Sequence, residues 1–423
     1  MQLCLWIVAA GASHAEEFDA YGRDFARHNS AAELAGAKDY GTTRLDREQV
    51  QLLESRLRDA ELEEGPYAGV LSEPLSELAR AYAAAGDAEE ALALYSRALH
   101  IVRVNDGLYS AGQAPLVRAI LELYRREGQL EALDERYDYF FRLYGSGQPP
   151  YTEVRLRATL EYLRWQREAY ARQLGADPLR RLLDAQSLNE DLLEGLVLAR
   201  DVPWEWRDEL AMSQLQNFYL LQREIAPRLR RFQQTSQLRS STNMPVAGTL
   251  QPPDYEDQRL LATARGLPGK ARLLFEQTLS QAASQGPGTV ADWRLEYGDW
   301  HLWNGNLRSA RTQYQLAEQA FEQAGGTELV AEKLGQPVEL PANGAFLWDW
   351  EGSAEKPATF TALLSVDARG RARVSEVRAR REQDRGTASR LSRSLGDIVF
   401  RPIIRNGETM ASELIERDYD WLR

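Results

Sequence analysis

Histidine is the residue type in this chain best suited to acid–base catalysis or metal binding, and its distribution argues against both. The 423 residues include four histidines, and none has a second histidine within the spacing of a metal-binding motif. His301 takes a position in a helical repeat where a packed aromatic side chain is expected, which favours a packing role. The sequence also lacks a Gly-x-Ser-x-Gly nucleophile motif. We therefore predict a non-enzymatic protein without cofactors or metal ions.

A glycine-rich segment at residues 266–270 resembles a phosphate-binding loop only at first sight. Ala264 replaces the first glycine of that motif, and Ala271 replaces its metal-binding hydroxyl. Pro268 also removes a backbone N–H that a bound phosphate would need. A place in a helical repeat accounts for this segment better than nucleotide binding does.

The tryptophans between residues 290 and 350 form two groups with different expected roles. Trp293, Trp300 and Trp303 recur at helical spacing, which favours packing. Trp348 and Trp350 lie outside any periodic pattern, and their rings could stack on sugars. These two are candidate partner-binding residues, and they make an envelope-glycan-binding protein an alternative.

The charge distribution narrows the range of partners. The net charge of -12 argues against a nucleic-acid partner, because phosphate binding needs a clustered cationic surface. One stretch, residues 367–405, has eleven arginines against five acidic residues. Its Arg371 and Arg373 are candidates for binding an acidic protein or an anionic envelope polymer. The alternative is that these arginines pair with acidic helices of the same protein.

The first 15 residues have the features of a secretory signal peptide. A short apolar run is followed by small residues and two glutamates, so we predict cleavage after Ala15. The run is far shorter than the ~20 residues that a membrane helix requires. The single cysteine, Cys4, lies inside this leader. We predict a periplasmic protein without a stable membrane span after cleavage, starting with an irregular segment at residues 16–44.

Residues 45–234 are predicted to form a helical repeat domain, with its clearest units near residues 72–144. Small and aromatic residues recur there at fixed offsets, and each unit contains a turn glycine. In the first unit these residues are Leu75, Leu78, Ala79, Tyr82, Gly86, Ala91, Tyr95 and Ala98. In the second they are Val117, Ile120, Leu121, Tyr124, Gly128, Leu133, Tyr137 and Phe140. Further helices are predicted over residues 152–174, 178–199 and 204–226, the last ending before Pro227.

A related pattern returns further along the chain. Residues 235–256 lose the periodicity and gather Ser, Thr, Gln and Pro, so we predict a linker there. Residues 257–332 are predicted to form a second repeat-like helical segment. The positions that carry the pattern in its final unit are Gly298, Gly305, Ala310, Tyr314 and Ala317.

These offsets resemble those of tetratricopeptide (TPR) proteins. In that family small residues let two antiparallel helices approach closely, and aromatic residues fill the groove between them. The resemblance implies a helical solenoid that binds protein partners rather than a catalyst. The alternative is an all-helical scaffold with no ligand.

The composition changes in residues 337–423, where a small α+β domain is predicted. Alternating apolar residues from Phe360 to Val366 indicate a strand, and a turn ending at Gly370 leads to a second strand. Residues 387–395 are predicted to be helical. An Asn406–Gly407 turn then precedes a terminal strand, which completes a three-stranded antiparallel sheet.

The order and spacing of Val366–Asp367, Gly370, Phe400–Pro402 and Asn406–Gly407 before the last strand resemble the C-terminal domain of TonB-type energy transducers. That resemblance implies that the last strand lies at a sheet edge and can accept a partner strand. The contact residues that it implies are Thr409, Ala411, Glu413, Ile415, Arg417 and Tyr419.

The sequence as a whole favours a periplasmic adaptor over a transducer. Helical repeats and a leader stand where TonB-type transducers have a membrane anchor and a proline-rich spacer. We expect the TPR-like helices to bind one protein of the cell envelope and the TonB-like domain another. A component of a TonB-type energy-transduction system stays an alternative.

Overall fold

A computed structural model describes residues 25–26, 47–199, 201–241, 255–346, 358–382 and 385–421. The chain divides into two compact units. The first, called the helical unit, comprises His28–Thr278 and Asn343–Lys356. The second, called the sheet unit, comprises Met1–Arg27, Leu279–Ala342 and Pro357–Arg423. The predicted signal peptide and the predicted irregular segment at residues 16–44 lie outside the described residues, apart from Phe25–Ala26.

The helical unit is built from consecutive helices, and all but the last pack on their sequence neighbours. The last helix extends four residues past Thr278 into the sheet unit. Their bounds are α1 (Arg47–Glu64), α2 (Ser72–Ala85), α3 (Ala88–Asp106), α4 (Ala114–Arg126), α5 (Leu130–Leu143), α6 (Glu153–Ala171), α7 (Pro178–Leu198), α8 (Trp204–Ser241) and α9 (Tyr255–Ala282).

The helix pair α2–α3 shows why the repeat pattern folds as it does. Gly86 has a φ of 87°, a left-handed conformation that glycine adopts without steric cost, and it ends α2. Asp87 then caps α3 by accepting a hydrogen bond from the Glu90 N–H. Ala79 and Ala91 are fully buried, so the two helices can approach closely. The predicted helical hairpin is confirmed.

Two later helices differ from their predicted bounds. The helix predicted to end before Pro227 continues to Ser241 in α8. Proline inside a helix removes one hydrogen bond and costs about 3 kcal/mol, which a long helix can offset elsewhere. Residues 242–254 of the predicted linker lie outside the described residues. Helix α9 includes Pro268, so residues 266–270 form a helix and not a loop.

The sheet unit combines a helical hairpin with short strands. Its remaining elements are α10 (Pro287–Trp303), α11 (Leu307–Leu334), β1 (Phe25–Ala26), β2 (Val338–Glu339), β3 (Ala358–Val366), β4 (Ala372–Ala379), α12 (Arg385–Asp397), β5 (Phe400–Arg401), β6 (Ile403–Arg405), β7 (Glu408–Met410) and β8 (Ile415–Trp421). The hairpin α10–α11 therefore belongs to the same unit as the strands.

The central sheet is antiparallel, with strand order β1-β8-β3-β4. One face of β3 carries Phe360, Ala362, Leu364 and Val366, which are buried against Leu391 and Leu395 of α12. This arrangement confirms the predicted fold class: a mainly helical chain followed by a small α+β region with a three-stranded antiparallel sheet and one helix. The short strand β1, which the sequence did not predict, adds a fourth strand next to β8.

The terminal strand begins later than predicted. Asn406 and Gly407 both have positive φ, which confirms the predicted turn. The turn joins β6 to β7 in a tight hairpin, however, and does not lead directly into the terminal strand. Residues 411–414 then belong to no strand. Within this gap the Ser412 N–H donates to the Val366 carbonyl at 2.8 Å, which aligns the chain for β8.

Candidate partner-binding surfaces

Two surfaces are candidates for partner binding: a cluster of loop residues in the helical unit and the edges of the central sheet. The loop cluster consists of Tyr67, Val70, Val104, Leu108 and Tyr109, and we call it the loop-end cluster. All five apolar side chains are between 52% and 59% exposed.

Polar contacts hold each loop of the loop-end cluster to a helix. The Tyr139 hydroxyl of α5 donates to the Leu108 carbonyl of the second loop at 3.1 Å, and Asn105 of α3 binds the first loop. The side-chain amide of Asn105 donates to the Tyr67 carbonyl and to the Ile101 carbonyl, both at 2.8 Å. The Tyr67 ring meets His100 edge-on, with ring centroids 5.8 Å apart. The backbone that carries these exposed apolar side chains is therefore held in place by hydrogen bonds.

The loop-end cluster follows the repeat. A short 3-10 turn at Gly69–Leu71 precedes α2, and an equivalent turn at Ala111–Gln113 precedes α4. Tyr67 and Tyr109 stand at equivalent places before these turns. The cluster was not predicted, because the repeat was recognised from its buried positions alone. The recurrence of Gly-x-Tyr in both loops is the signal that could have found it.

At the sheet edge, hydrogen bonds show which backbone groups of β8 are free to bind. The Val366 N–H donates to the Ser412 hydroxyl at 2.9 Å, so Val366 directs its backbone polar groups toward β8. Along a strand, successive residues direct their backbone N–H and C=O groups toward opposite edges. The pairs Leu364–Ile415, Ala362–Arg417 and Phe360–Tyr419 therefore share the ladder bonds.

The outer edge of β8 is consequently formed by the backbone groups of the residues that alternate with Ile415, Arg417 and Tyr419. Glu416 and Asp418 direct their backbone N–H and C=O groups away from β3. Strand β1 covers only the far end of this edge, where Ala26 lies opposite Asp420 and Phe25 opposite Trp421. No described strand other than β3 pairs with Glu416 or Asp418.

Three of the residues predicted to contact a partner through β8 make contacts within the sheet unit, and their partner contacts stay a prediction. Arg417 forms an ion pair with Glu339 and also donates to the Pro337 carbonyl. The Tyr419 hydroxyl donates to Glu339 at 2.9 Å. Ile415 is half-buried against the core of the sheet. These side chains stabilise the sheet from its inner face.

The other predicted contact residues are scattered. Thr409 is buried and its hydroxyl accepts hydrogen bonds from Arg311 at 3.0 and 3.1 Å. Ala411 and Glu413 are exposed in the segment between β7 and β8.

Arg371 and Arg373 are exposed and form no ion pair with a described residue. Trp348 and Trp350 lie outside the described residues.

A buried ion pair also links the helices α10 and α11 to the strands of the sheet unit. Asp299 is fully buried, accepts a hydrogen bond from the Tyr314 hydroxyl at 2.9 Å and pairs with Arg401 at 2.9 Å. Burial raises the pKa of Asp299 to about 6, although Arg401 and Tyr314 oppose that rise. Burial likewise raises the pKa of Glu339.

The residues whose types suit chemistry have packing roles. His301 stacks on Tyr297 with ring centroids 4.5 Å apart, and burial lowers the pKa of its imidazole. Trp293 and Trp300 are buried. Among the described residues, no cluster of His, Cys, Asp or Glu has the geometry to hold a metal ion. The same part of the chain contains no helix long and apolar enough to span a membrane.

Comparison with known proteins gives a structural likeness only. No protein-family model matches the sequence, and no curated protein matches it. Among solved structures, one similar chain has nearly identical TPR-like repeats and comes from a Podosopora anserina protein assigned as a kinesin light chain. It shows 18% identity, covers 56% of this chain and 93% of its own, and has a TM-score of 0.32. A single-substitution variant of that protein shows 17% identity over 58% of this chain and 99% of its own, with a TM-score of 0.31.

Proposed function

We propose that this protein is a non-enzymatic adaptor of the cell envelope, exported to the periplasm, that binds protein partners through its repeat helices and through its C-terminal sheet. The observation that carries the proposal is the loop-end cluster. Large exposed apolar surfaces on folded proteins often mark a binding site, and five half-exposed apolar residues at the ends of consecutive helices offer such a surface. Tyrosine at such a patch adds a large apolar area that can be buried by a partner.

The backbone around the loop-end cluster supports a binding role further. Asn105 fixes the loop of Tyr67, and the Tyr139 hydroxyl fixes the loop of Tyr109 by donating to the Leu108 carbonyl at 3.1 Å. Little conformational freedom is therefore lost when a partner covers Tyr67 and Tyr109. The residues that pack the helices lie inside the unit, so the fold does not depend on which side chains the loop ends carry. A solenoid of helix pairs is well suited to such a surface.

Site-specific photo-crosslinking tests the protein-binding role. A photoreactive amino acid at Tyr109 is expected to give a discrete protein adduct in intact cells, whereas one at Leu198, which is 85% exposed on α7, is not. Tyr67→Ser should reduce the Tyr109 adduct about tenfold or more, because truncating an aromatic anchor often costs about 2 kcal/mol. The matched control Leu62→Ser should leave it unchanged. Equal adducts from Tyr109 and Leu198 would rule the surface out.

Export is supported by the pattern of the first 15 residues and by the position of Cys4 within it. N-terminal sequencing of the protein from a periplasmic fraction tests it. The expected first residue is Glu16. A chain that retains the leader in the membrane fraction would count against the adaptor and in favour of a transducer component.

The TonB-like alternative has one observation in its favour. The order strand, strand, helix, strand in β3, β4, α12 and β8 places the last strand next to the first, with part of its outer edge unpaired by described residues. A transducer component should give a crosslink from Asp418 to an outer-membrane protein, and a protonophore should abolish it. A crosslink that is insensitive to the protonophore would favour the adaptor.

A further inference from the structure

The second edge of the central sheet, formed by β4, also has unpaired backbone groups. Asp367 donates its N–H to the Arg371 carbonyl at 3.0 Å, so Arg371 directs its carbonyl toward the β3 side of the turn. By alternation, Arg373 shares ladder bonds with Ser365 of β3. A register shift opposite Leu363 and Leu364 adds one residue to β4, so beyond this bulge it is Arg378 that shares ladder bonds with Thr361.

The intervening residues of β4 therefore face outward. Val374, Val377 and Ala379 direct their N–H and C=O groups away from β3, and we call this row the β4 edge. A bridge between Arg371 and Val399 covers only the start of the strand. No described strand pairs with the β4 edge, since β4 is the last strand in the sheet order.

Side chains along the β4 edge are strongly basic. Arg378 and Arg380 have carboxylate partners, namely Glu376 and Asp418. Several further exposed arginines on this side of the sheet form no ion pair with any described residue. They are Arg369, Arg371, Arg373 and Arg381.

The two edges of the same sheet thus differ in charge. The outward-facing residues Glu416 and Asp418 make the β8 edge acidic, whereas arginines flank the β4 edge. A strand that suits one edge is therefore disfavoured at the other, because like charges placed side by side repel.

We propose that the β4 edge binds an acidic, extended segment of a partner protein, which adds to the sheet as a further strand. Backbone hydrogen bonds to Val374, Val377 and Ala379 supply a ladder that does not depend on sequence. Carboxylates of the segment meet Arg373 and Arg378 on the outer face of the sheet, on either side of Glu376. The intervening side chains lie beside Val374 and Val377, where small apolar residues fit.

Charge complementarity selects this partner over others. Arginines on an edge strand can also serve only to prevent sheet-to-sheet aggregation. That role requires no binding of acidic strands, so the two roles predict different results. The β4 edge is independent of the loop-end cluster, and its failure to bind acidic strands would leave the function proposed for that cluster intact.

Peptide binding to the full chain tests the proposal. The probe is a labelled peptide of about eight residues that alternates Glu and Val, a typical strand length, and the control peptide replaces each Glu with Lys. Fluorescence anisotropy should show binding of the Glu peptide and none of the Lys peptide. Arg373→Glu should weaken binding about tenfold, and the charge-matched control Arg405→Glu, at an exposed position of β6, should not change it.

Ala379→Pro separates strand addition from simple attraction of anions. It removes one outward N–H and leaves the ladder with β3 intact, so binding should weaken by up to about tenfold. Denaturant unfolding checks that this variant folds. If it does not fold, Arg373→Glu still tests the proposal, because that substitution changes only an exposed charge. The proposal is overturned if the Glu peptide does not bind, if Arg405→Glu weakens binding as much as Arg373→Glu, or if a folded Ala379→Pro variant binds normally. Binding of an anionic polysaccharide that is equally strong in the folded proline variant would identify a general anion surface instead.

Discussion

Charged residues are used differently in the two units. In the helical unit, ion pairs such as Arg97–Glu61 and Arg118–Glu161 join helices two apart in the chain and remain partly exposed, although the Glu168 carboxylate of the Arg125–Glu168 pair is buried. In the sheet unit, Asp299–Arg401 and Glu339–Arg417 join segments far apart in sequence, and each carboxylate is fully buried.

This difference indicates how each unit is stabilised. A helix pair in the array depends mainly on its neighbours, so the loss of one contact has a local effect. The sheet unit depends on a few buried charges, and removing one partner leaves the other buried without compensation. We expect single substitutions to have larger effects in the sheet unit.

The largest effect is expected from Asp299→Ala. It leaves the Arg401 guanidinium, 8% exposed, without its carboxylate, and breaking a buried pair in this way costs about 3 to 5 kcal/mol. Denaturant unfolding of the full chain should show a lower midpoint for the sheet unit. Arg378→Ala, which breaks an exposed pair, should cost less than about 1 kcal/mol. Similar costs for both variants would remove the contrast between buried and exposed charges.

The pH dependence of stability should follow Asp299. Its pKa is raised from an ordinary 3.8 to about 6 in the folded protein. The folded state therefore binds the proton more tightly than the unfolded state, and this contribution to stability decreases as pH rises from about 4 to about 6. The raised pKa of Glu339 acts in the same direction.

Asp299→Asn removes that titration while keeping a similar shape. Unfolding free energies measured at several pH values across this window should vary less in the variant than in the parent protein. An unchanged slope would show that Asp299 does not titrate there.

A smaller effect is expected from Gly298→Ala in α10. A Cβ at this position would lie 2.4 Å from the Tyr314 ring, so overpacking should cost about 1 to 3 kcal/mol. Gly288→Ala lies in the same helix, and its Cβ would meet Ala324 at an ordinary 3.7 Å. That control should stabilise the protein by about 0.5 to 1 kcal/mol, because alanine favours the helix. Thermal unfolding distinguishes the two signs, and a loss of stability in both would contradict the packing argument.

The smallest expected effects compare equivalent helix caps in the two units. Asp87 accepts from the Glu90 N–H at 3.3 Å, and Asn306 accepts from the Ser309 N–H at 3.2 Å. Alanine at either cap should cost about 1 kcal/mol. Denaturant unfolding should show Asp87→Ala affecting the helical unit and Asn306→Ala the sheet unit. A change in both units from either variant would show that the units do not unfold separately.

Much of the helical unit could be predicted because its structure is local. Ala79, Ala91 and Ala98 occupy fixed positions of one repeat unit, and each is fully buried. Gly86 and Asp87 mark the turn and the cap, because glycine favours the left-handed turn and aspartate favours the start of a helix. The continuation of α8 past Pro227 was not predictable, because a proline ends most helices.

The sheet unit was predicted in outline but not at its contacts. The alternation from Phe360 to Val366 identified β3 and its buried face correctly. The charge pair of Asp299 with Arg401 spans 102 residues, and no periodicity links such positions. The strand β8 was predicted, but its internal pairing was not: Ile415, Arg417 and Tyr419 lie opposite Leu364, Ala362 and Phe360 of β3, and sequence alternation does not reveal which side of a strand pairs with its neighbour. The partner contacts proposed for these residues stay a prediction.

The pairing of β1 with β8 has a consequence for how the chain acquires its final form. Phe25 and Trp421 are opposite each other in this ladder, although almost the whole chain separates them. During synthesis Phe25 emerges long before its strand partner. Contacts over such sequence distances form slowly, since a large loop must close before they gain any stability. This strand pair can therefore form only after residues 415–421 have been synthesised.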